Sequence, residues 1–155
     1  MSETQAGVKD LSTTRKGLDL KTIFPEWVKD DERPGYEGYL VEVDHLVDIF
    51  QKLKDEYHFD YLSSVTGVDY YPQDIIEVVY HLYRSTGGSG LIIKTQVSRE
   101  DPVVPTLQVL YPGVDFQERE VWDLLGIRFD GHPDHRRILL WEGFAGHPLR
   151  KDWKE

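Results

Sequence analysis

Three segments rich in β-branched and aromatic residues follow one another in the middle of the chain and constrain its fold more than any other feature. They are YLSSVTGVDYY at 61–71, EVVYHLYR at 77–84 and LIIKTQV at 91–97, and each is predicted to form a strand. The glycines of TGGSG at 86–90 supply a tight turn, so the second and third strands should pair antiparallel. His81 alternates inside the second strand, where a lone histidine is more often a packed or surface residue than a ligand, and we assign it no chemistry.

A fourth strand and two helical segments flank this region. YLVEV at 39–43 alternates as a strand, and Asp44 follows it as the predicted N-cap of an amphipathic helix. One face of that helix has the i, i+3, i+4, i+7 spacing and consists of Leu46, Ile49, Phe50 and Leu53. TLQVLY at 106–111 is predicted to be a short helical segment that ends at Pro112-Gly113.

The N-terminal residues differ from the rest of the chain in having no sustained apolar period. Residues 1–35 are polar and end in the loop-like DDERPG, so we predict a loose arm with a short turn at FPEW, 24–27. Such an arm would order only against a partner. The remaining residues, 36–155, are predicted to form a single domain.

Charge and cysteine content exclude several classes of protein. The formal net charge of -10, from 18 basic and 28 acidic residues, disfavours a nucleic-acid binder, because phosphate contacts need clustered Lys and Arg. The sequence has no cysteine, so it offers no disulfide, thiolate nucleophile or cysteine-ligated cluster. No apolar run approaches the roughly 20 residues of a membrane-spanning helix, which predicts a soluble, cytoplasmic chain.

The segment EREVWDLLGIRFDGHPDHRRILL, 118–140, concentrates acids, arginines and histidines. Asp115 and Glu118 have the spacing of a helix N-cap and its capping-box partner, and Gly126 stands where a C-terminal cap is expected. This pattern predicts a helix over about 116–125.

The charges of this segment predict an ionic brace. Glu120 and Asp123 lie one turn apart on the helix and need cations against them, and Arg119 should reach Asp123 at i+4. Arg136 and Arg137 begin the strand-like RRILLW, so their side chains should point in opposite directions. One of the two arginines would face the helix acids and the other a partner subunit.

Three chemical alternatives involve the same residues. The paired carboxylates are acid/base candidates, but neighbours on one helix rarely form a catalytic cleft. His132 and His135, with Asp130 and Asp134, are ligand types suited to zinc, yet they lie in a Gly-Pro turn with no second ligand pair nearby in sequence. The paired arginines could clamp a phosphate, but no glycine-rich phosphate loop stands beside them.

The residue spacing in this segment resembles the signature of the 30 kDa-type subunit, or C-type subunit, of the proton-pumping NADH:quinone oxidoreductase, respiratory complex I. Every position of that signature is filled: Glu118-Arg119-Glu120, two residues, Asp123-Leu124-Leu125, six residues, His132, three residues, Arg136, one residue, Ile138-Leu139. FDGHP and GHPLRKDW, 146–153, are also similar to the family, and a weaker resemblance reaches back to about Tyr36. The sequence departs from many relatives in stopping at Glu155, where those relatives continue into a tail that wraps neighbouring subunits.

The resemblance implies an α+β fold, a two-layer domain with a mixed, partly antiparallel sheet packed by helices, and an irregular C-terminal segment. It implies a non-catalytic structural subunit in the quinone module of the hydrophilic arm, beside the D-type subunit that forms most of the quinone pocket. It also implies that this chain carries no cofactor, while partner subunits hold flavin and iron–sulfur clusters. The expected location is peripheral, on the cytoplasmic side of the energy-conserving membrane or the corresponding organelle side.

Two other functions remain open on the sequence. From the same superfamily, the matching subunit of a membrane-bound hydrogenase or of a ferredoxin-driven quinone reductase is the alternative, and the sequence does not separate the two because the electron donor binds other chains. From another class, a free-standing metallohydrolase would use His132, His135 and Asp130.

The C-terminal segment from Trp141 to Trp153 is predicted to be an interface element. Its large apolar groups are too many for a solvated terminus, unless they fold back onto the domain's own sheet. The residues expected to form the brace and the contact surface, with no catalytic, cofactor or metal role, are Glu118, Arg119, Glu120, Asp123, His132, Arg136, Arg137, Arg150, Lys151 and Trp153.

Overall fold

A five-stranded mixed sheet is the centre of the computed structural model, which describes residues 18–154. The strands of this sheet are β1 Val28–Asp30, β2 Tyr39–Val41, β3 Tyr61–Asp69, β4 Ile76–Tyr83 and β5 Leu91–Val97. Their order is β1-β2-β5-β4-β3, with β2 and β5 parallel and all other neighbours antiparallel. The predicted hairpin of the second and third central strands is confirmed as β4–β5.

Three helices and a small second sheet complete the described chain. The helices are α1 Leu20–Ile23, α2 Leu46–Tyr57 and α3 Asp115–Leu125, and 3-10 turns at Val43–His45 and Pro112–Val114 precede the last two. The second sheet pairs β6, Val103–Pro105, in parallel with β7, Arg128–Asp130. Within residues 18–154 no helix is long and apolar enough to cross a membrane.

The core lies between one face of the large sheet and helices α2 and α3. The predicted apolar face of α2 is fully buried, and its Phe50 ring meets the Tyr80 ring of β4 edge-on at 5.1 Å between centroids. Helix α3 packs on β3 at Gly67, where an added Cβ would lie 2.5 Å from Leu125 Cδ1. Gly67 pairs with Val78, which shares the buried face of β4 with Tyr80, so both helices cover the same side of the sheet. The two-layer α+β class is confirmed.

The structure corrects the predicted loose arm in its described part. Leu20 of α1 is fully buried, and β1 pairs with β2 through Val28 opposite Val41. The Tyr39 hydroxyl also donates a hydrogen bond of 3.2 Å to the Leu18 carbonyl. The predicted turn at 24–27 is present, but it connects α1 to β1 inside the fold. The rest of the predicted arm, 1–17, lies outside the described residues.

Both predicted N-caps are wrong, whereas the predicted C-cap is confirmed. Asp44 lies inside the 3-10 turn, and His45 occupies the N-cap of α2 without a side-chain bond. Val114 occupies the N-cap of α3, which leaves Glu118 free for other partners. Gly126 ends α3 with φ 78°, and its N–H donates to the Trp122 carbonyl at 2.8 Å.

Two other predicted elements are turns or irregular chain. TLQVLY forms a turn in which the N–H groups of Leu110 and Tyr111 both donate to the Leu107 carbonyl, at 3.0 and 2.8 Å. RRILLW at 136–141 is not a strand, and the chain from 131 to 154 runs as irregular loops and turns. The predicted irregular C-terminal segment is therefore confirmed, while its strand-like start is not.

Candidate functional site

Asp123 on the inner side of α3 is the centre of the charged segment. Its side chain is fully buried, and its Oδ1 accepts a hydrogen bond of 2.7 Å from Arg137 Nη1. Its Oδ2 accepts from the backbone N–H groups of Ile138, Leu139 and Leu140 at 3.2, 2.7 and 2.9 Å. Burial alone would raise the pKa of this carboxyl, but these donors outweigh burial and lower the pKa below its ordinary value.

Arg137 connects the end of α3 to the C-terminal segment. Besides Asp123 Oδ1, its Nη1 donates to the Asp123 carbonyl at 3.0 Å. Its Nη2 donates to the carbonyls of Phe144 and Gly146 at 2.9 and 2.8 Å. One guanidinium therefore holds two stretches of irregular chain against the helix.

Arg119 does not pair with Asp123, so this part of the predicted brace is wrong. Its Nε and Nη2 donate to the backbone carbonyls of Arg136 and Arg137 at 3.2 and 3.3 Å, and its Nη1 lies 3.6 Å from the Asp134 carboxylate. An i,i+4 ion pair on a helix contributes only a few tenths of a kcal/mol, whereas a hydrogen bond that involves a charged group contributes about 1.5–3 kcal/mol. The arginine therefore binds the irregular chain in place of its helical neighbour.

The two consecutive arginines do point in opposite directions. Arg137 faces Asp123, while Arg136 is exposed and forms a two-pronged ion pair with Asp134. Glu120, predicted to share the brace, is exposed on α3 and has no hydrogen-bond or ion-pair partner within residues 18–154. The sequence pattern thus predicted the alternation of the arginines but placed Glu120 wrongly.

Glu118 is fully buried and ties α3 to the turn that precedes it. Its Oε1 accepts from the Thr106 hydroxyl, and its Oε2 accepts from the Leu107 N–H at 2.8 Å. Burial raises the pKa of Glu118 despite these two bonds. The predicted capping-box role is wrong, because the carboxylate faces Thr106 and Leu107 and not its own helix terminus.

The two histidines of the zinc-site alternative are occupied by protein groups. His132 Nδ1 accepts from the Asp134 N–H at 3.0 Å, and its Nε2 lies 2.9 Å from Asp115 Oδ1. His135 Nε2 accepts from the Phe129 N–H at 2.9 Å, and burial lowers the pKa of this imidazole. Within residues 18–154 no three His, Cys, Asp or Glu side chains are grouped so as to hold a metal ion.

The C-terminal segment is fastened to the end of the large sheet by polar contacts. Arg150 Nε donates to the Leu125 carbonyl at 2.6 Å, and its Nη1 donates to the Arg99 carbonyl at 3.0 Å. The Lys151 N–H donates to Asp69 Oδ2 at 2.9 Å. The Lys151 side chain is exposed, so only its backbone takes part in this attachment.

Arg99 completes this attachment and was missed by sequence reasoning. It binds both oxygens of Asp69, at 2.5 and 3.0 Å, and reaches Asp152 at 2.8 Å. These donors lower the pKa of Asp69, although burial by itself would raise it. The partners are 30 and 53 residues apart, so no local spacing indicates them.

Two of the large apolar groups of the segment project outward. Trp141 and Leu149 are 69% and 59% exposed, and the neighbouring Leu139 is 61% exposed. Phe144 and Trp153 instead stack on each other with ring centroids 6.0 Å apart. The segment therefore folds back in part and still presents three exposed large apolar side chains, Leu139, Trp141 and Leu149, which we call the C-terminal patch.

Gln117 of α3 is a further residue that the sequence did not single out. Its Oε1 accepts from the Val65 N–H at 2.7 Å, and its Nε2 donates to the Ser63 carbonyl at 3.4 Å. β3 is an edge strand, and the side-chain amide takes the place of a neighbouring strand at these two residues.

Curated relatives match most of the chain. It is 39% identical over 136 residues to the C-type subunit of the NADH-quinone oxidoreductase of Moorella thermoacetica, and the match covers 88% of this chain and 91% of the relative. It is also 42% identical over 105 residues to the joint C/D-type subunit of the NADH-quinone oxidoreductase of Phocaeicola vulgatus, covering 67% of this chain and 20% of that longer protein.

Solved structures share the fold. A chain of the membrane-bound sulfane sulfur reductase, an archaeal respiratory membrane complex, superposes with a TM-score of 0.73 at 25% identity, covering 87% of this chain and 83% of that one. A trypsin-resistant fragment of Nqo5 superposes with a TM-score of 0.61 at 30% identity, covering 74% of this chain and 98% of the fragment.

The family model described as respiratory-chain NADH dehydrogenase, 30 Kd subunit, matches residues 39–155. That range contains the charged segment and the strands β2 to β7. With this match and the identity to the Moorella protein, the chain belongs to the 30 kDa subunit family of respiratory-chain NADH dehydrogenases, complex I.

Proposed function

We propose that this chain is a non-catalytic structural subunit of the quinone module in a complex I-type NADH:quinone oxidoreductase. The C-terminal patch docks against the D-type subunit, and partner subunits hold the flavin and the iron–sulfur clusters. The relative from Phocaeicola, whose name joins C and D in one chain, supports this partner. The complex couples electron transfer to proton translocation, and this chain lies peripherally on the cytoplasmic or corresponding organelle side.

The C-terminal patch is the observation that carries the proposal. Its three side chains are more than half exposed, although the backbone beneath them is held by Arg137, Arg150 and Asp69. Large apolar side chains on a fixed backbone are typical of the centre of a protein–protein interface, and the exposed Lys151 is suited to its rim.

The charged residues of α3 support a structural role. Glu118 and Asp123 are both fully buried and accept hydrogen bonds from the chain's own donors. A catalytic acid or base needs access to a substrate, and these carboxylates are instead used to hold the turn at 106–107 and the chain at 137–140.

Affinity purification from the native membrane tests this function. A chain with Trp141→Ala and Leu149→Ala should bring down less of the D-type subunit than the unchanged protein. Tyr61→Ala, which alters a 56% exposed residue at the far end of β3, is the matched control and should leave assembly intact. Complex that does assemble should keep near-normal turnover per flavin. Normal assembly together with a large loss of turnover per flavin would contradict the structural role.

A second candidate function is the equivalent subunit of a related complex, such as a membrane-bound hydrogenase or a ferredoxin-driven quinone reductase. The likeness to a chain of the membrane-bound sulfane sulfur reductase favours it. The same purification distinguishes the two functions, because an NADH-oxidising flavoprotein co-purifies only in the first case. The metallohydrolase alternative, with His132, His135 and Asp130, predicts stoichiometric zinc in a washed sample, and we expect none.

A further inference from the structure

The face of the large sheet opposite α2 and α3 carries no helix within residues 18–154. The strand register places four half-buried aliphatic side chains on this face, which we call the open face: Leu40, Val68, Val79 and Ile92. The core face of the same strands is almost completely buried. These four residues supply an aliphatic floor within a face that also carries Thr66, Glu77 and Lys94, and the described part of the chain covers this floor only in part.

One loop crosses the open face and is fixed by buried charges. Asp31 Oδ2 accepts from Lys94 Nζ at 2.5 Å, and Arg33 binds both Asp31 and, at 3.0 Å, Glu77. Asp31, Glu77 and Lys94 are buried, and the two cations balance the two carboxylates. The hydrogen bond from Arg33 holds the pKa of Asp31 well below its usual range. The buried charges that fix the loop thus balance one another, and the loop forms a wall across the open face.

Grooves lie on both sides of this wall. One has a volume of about 350 Å³, and its lining includes Trp27, Leu40 and Gln96. The other has a volume of about 390 Å³, and its lining includes Val79 and Ile92. Both are shallow and open, which suits an extended segment of a polypeptide better than an enclosed small molecule.

The rims of these grooves are acidic. Exposed carboxylates line the two grooves at Glu26, Glu37 and Glu42, and the exposed Glu32 lies on the loop between them. Among the described residues that line the grooves, Lys29 is the single exposed lysine or arginine, since Arg33 and Lys94 are engaged with Asp31 and Glu77. The excess negative charge disfavours a nucleic acid, an anionic membrane or a second copy of this acidic chain.

We propose that the open face is a second docking surface, which receives a segment rich in lysine and arginine from a partner chain. Long basic side chains bury their methylene stems on an aliphatic floor and extend their charged ends to a carboxylate rim, which is the arrangement the open face offers. The open face lies on the side of the sheet opposite α3, whereas the C-terminal patch is fastened to α3. The chain consequently bridges two partners. This inference rests on one part of the proposed function, namely that the chain works inside an assembly.

Carbodiimide crosslinking of the purified native complex tests the contact directly, because this reagent joins a carboxylate to an amine without a spacer. Amide crosslinks are expected from Glu26, Glu37 or Glu42 to lysines of a partner chain. Crosslinks confined to Asp55 and Glu56, in the exposed last turn of α2, would overturn the proposal. Crosslinks from the open face to a second copy of this chain would overturn it as well.

Charge reversal provides the matched comparison. Glu26→Lys with Glu42→Lys should reduce retention of one partner about tenfold during purification from the membrane, because like charges would then face each other. Asp55→Lys with Glu56→Lys changes the net charge equally and should alter retention less than about twofold, since lysine suits a helix C-terminus. Both variants should melt like the unchanged chain. If the first variant keeps every partner, the second surface is refuted, while the proposed function still stands on the C-terminal patch.

Discussion

Asp123 and Arg137 form the hydrogen-bonded ion pair that joins α3 to the irregular C-terminal segment, with 2.7 Å between Oδ1 and Nη1. The same guanidinium also binds the carbonyls of Phe144 and Gly146. A lysine has one charged nitrogen and cannot span these positions. The pair is therefore the first target for mutation.

Arg137→Ala should lower the free energy of unfolding by about 3–5 kcal/mol, because it leaves the buried Asp123 charge without its cation. Arg137→Lys should recover only a small part of that loss. Urea denaturation of the isolated chain measures both variants. The neighbouring Arg136→Ala is the control, and it should leave the unfolding midpoint unchanged because Arg136 is exposed. Similar losses at the two positions would contradict the assignment of Arg137 as the inward residue.

Asp31, Asp69 and Asp123 should make the fold sensitive to acid. Their folded-state pKa values lie below the value of about 3.9 found for unfolded chains, so the stability they contribute is fully present above about pH 4. It is lost as the pH falls through the folded-state pKa values, because each carboxylate must then accept a proton.

Asp69→Asn tests this acid dependence. The variant should be less stable than the unchanged chain at pH 7 and should lose less further stability on going to about pH 3. Denaturant titrations at the two pH values measure the difference, and Asp48→Asn, at an exposed position of α2, serves as the control. An equal acid-induced loss in the Asp69 variant and the unchanged chain would show that this carboxyl does not contribute.

Gln117→Ala should expose the backbone of the edge strand β3. Loss of its two hydrogen bonds should cost about 1–3 kcal/mol and should speed amide exchange at Val65 more than at its neighbours. Gln117→Glu keeps an acceptor for Val65 but cannot donate to Ser63, so an intermediate effect is expected. Unchanged exchange at Val65 in the alanine variant would rule out the proposed protection of the edge.

Gly67→Ala should be destabilising through crowding. The added methyl group would lie 2.5 Å from Leu125 Cδ1, and overpacking of this kind typically costs about 1–3 kcal/mol. Leu125→Ala alone should destabilise by leaving a cavity, whereas the double variant should be more stable than the sum of the two single effects predicts. Additive effects, measured by thermal unfolding of all three variants, would argue against the contact.

Periodic patterns predicted most of the regular structure. The buried face of α2, the central strands and the end of α3 at Gly126 all depend on residues close together in sequence, for which spacing is informative. The arm was misjudged because too few of its residues are apolar. Leu20 and Val28 are nevertheless buried, since the sheet and helices of the later chain offer a place for them.

The contacts of the candidate site were harder to predict. Arg119 was assigned to its helical neighbour Asp123, but it binds carbonyls 17 and 18 residues away. RRILLW has the composition of a strand, yet Asp123 occupies the N–H groups of residues 138–140 and prevents strand pairing there. The bond between Asp31 and Lys94 spans 63 residues, and only the completed sheet brings the two together.

Arg137 and Arg150 have a consequence for association. A loop that became ordered only on contact with a partner would lose conformational entropy at that moment, and its affinity would be lower by that amount. In this chain the carbonyls of Phe144, Gly146 and Leu125 already accept hydrogen bonds from arginines. The conformational entropy of the segment is therefore lost during folding and not on association. Association rate and residence time should therefore respond to substitution of these arginines, although neither side chain belongs to the patch that a partner would touch.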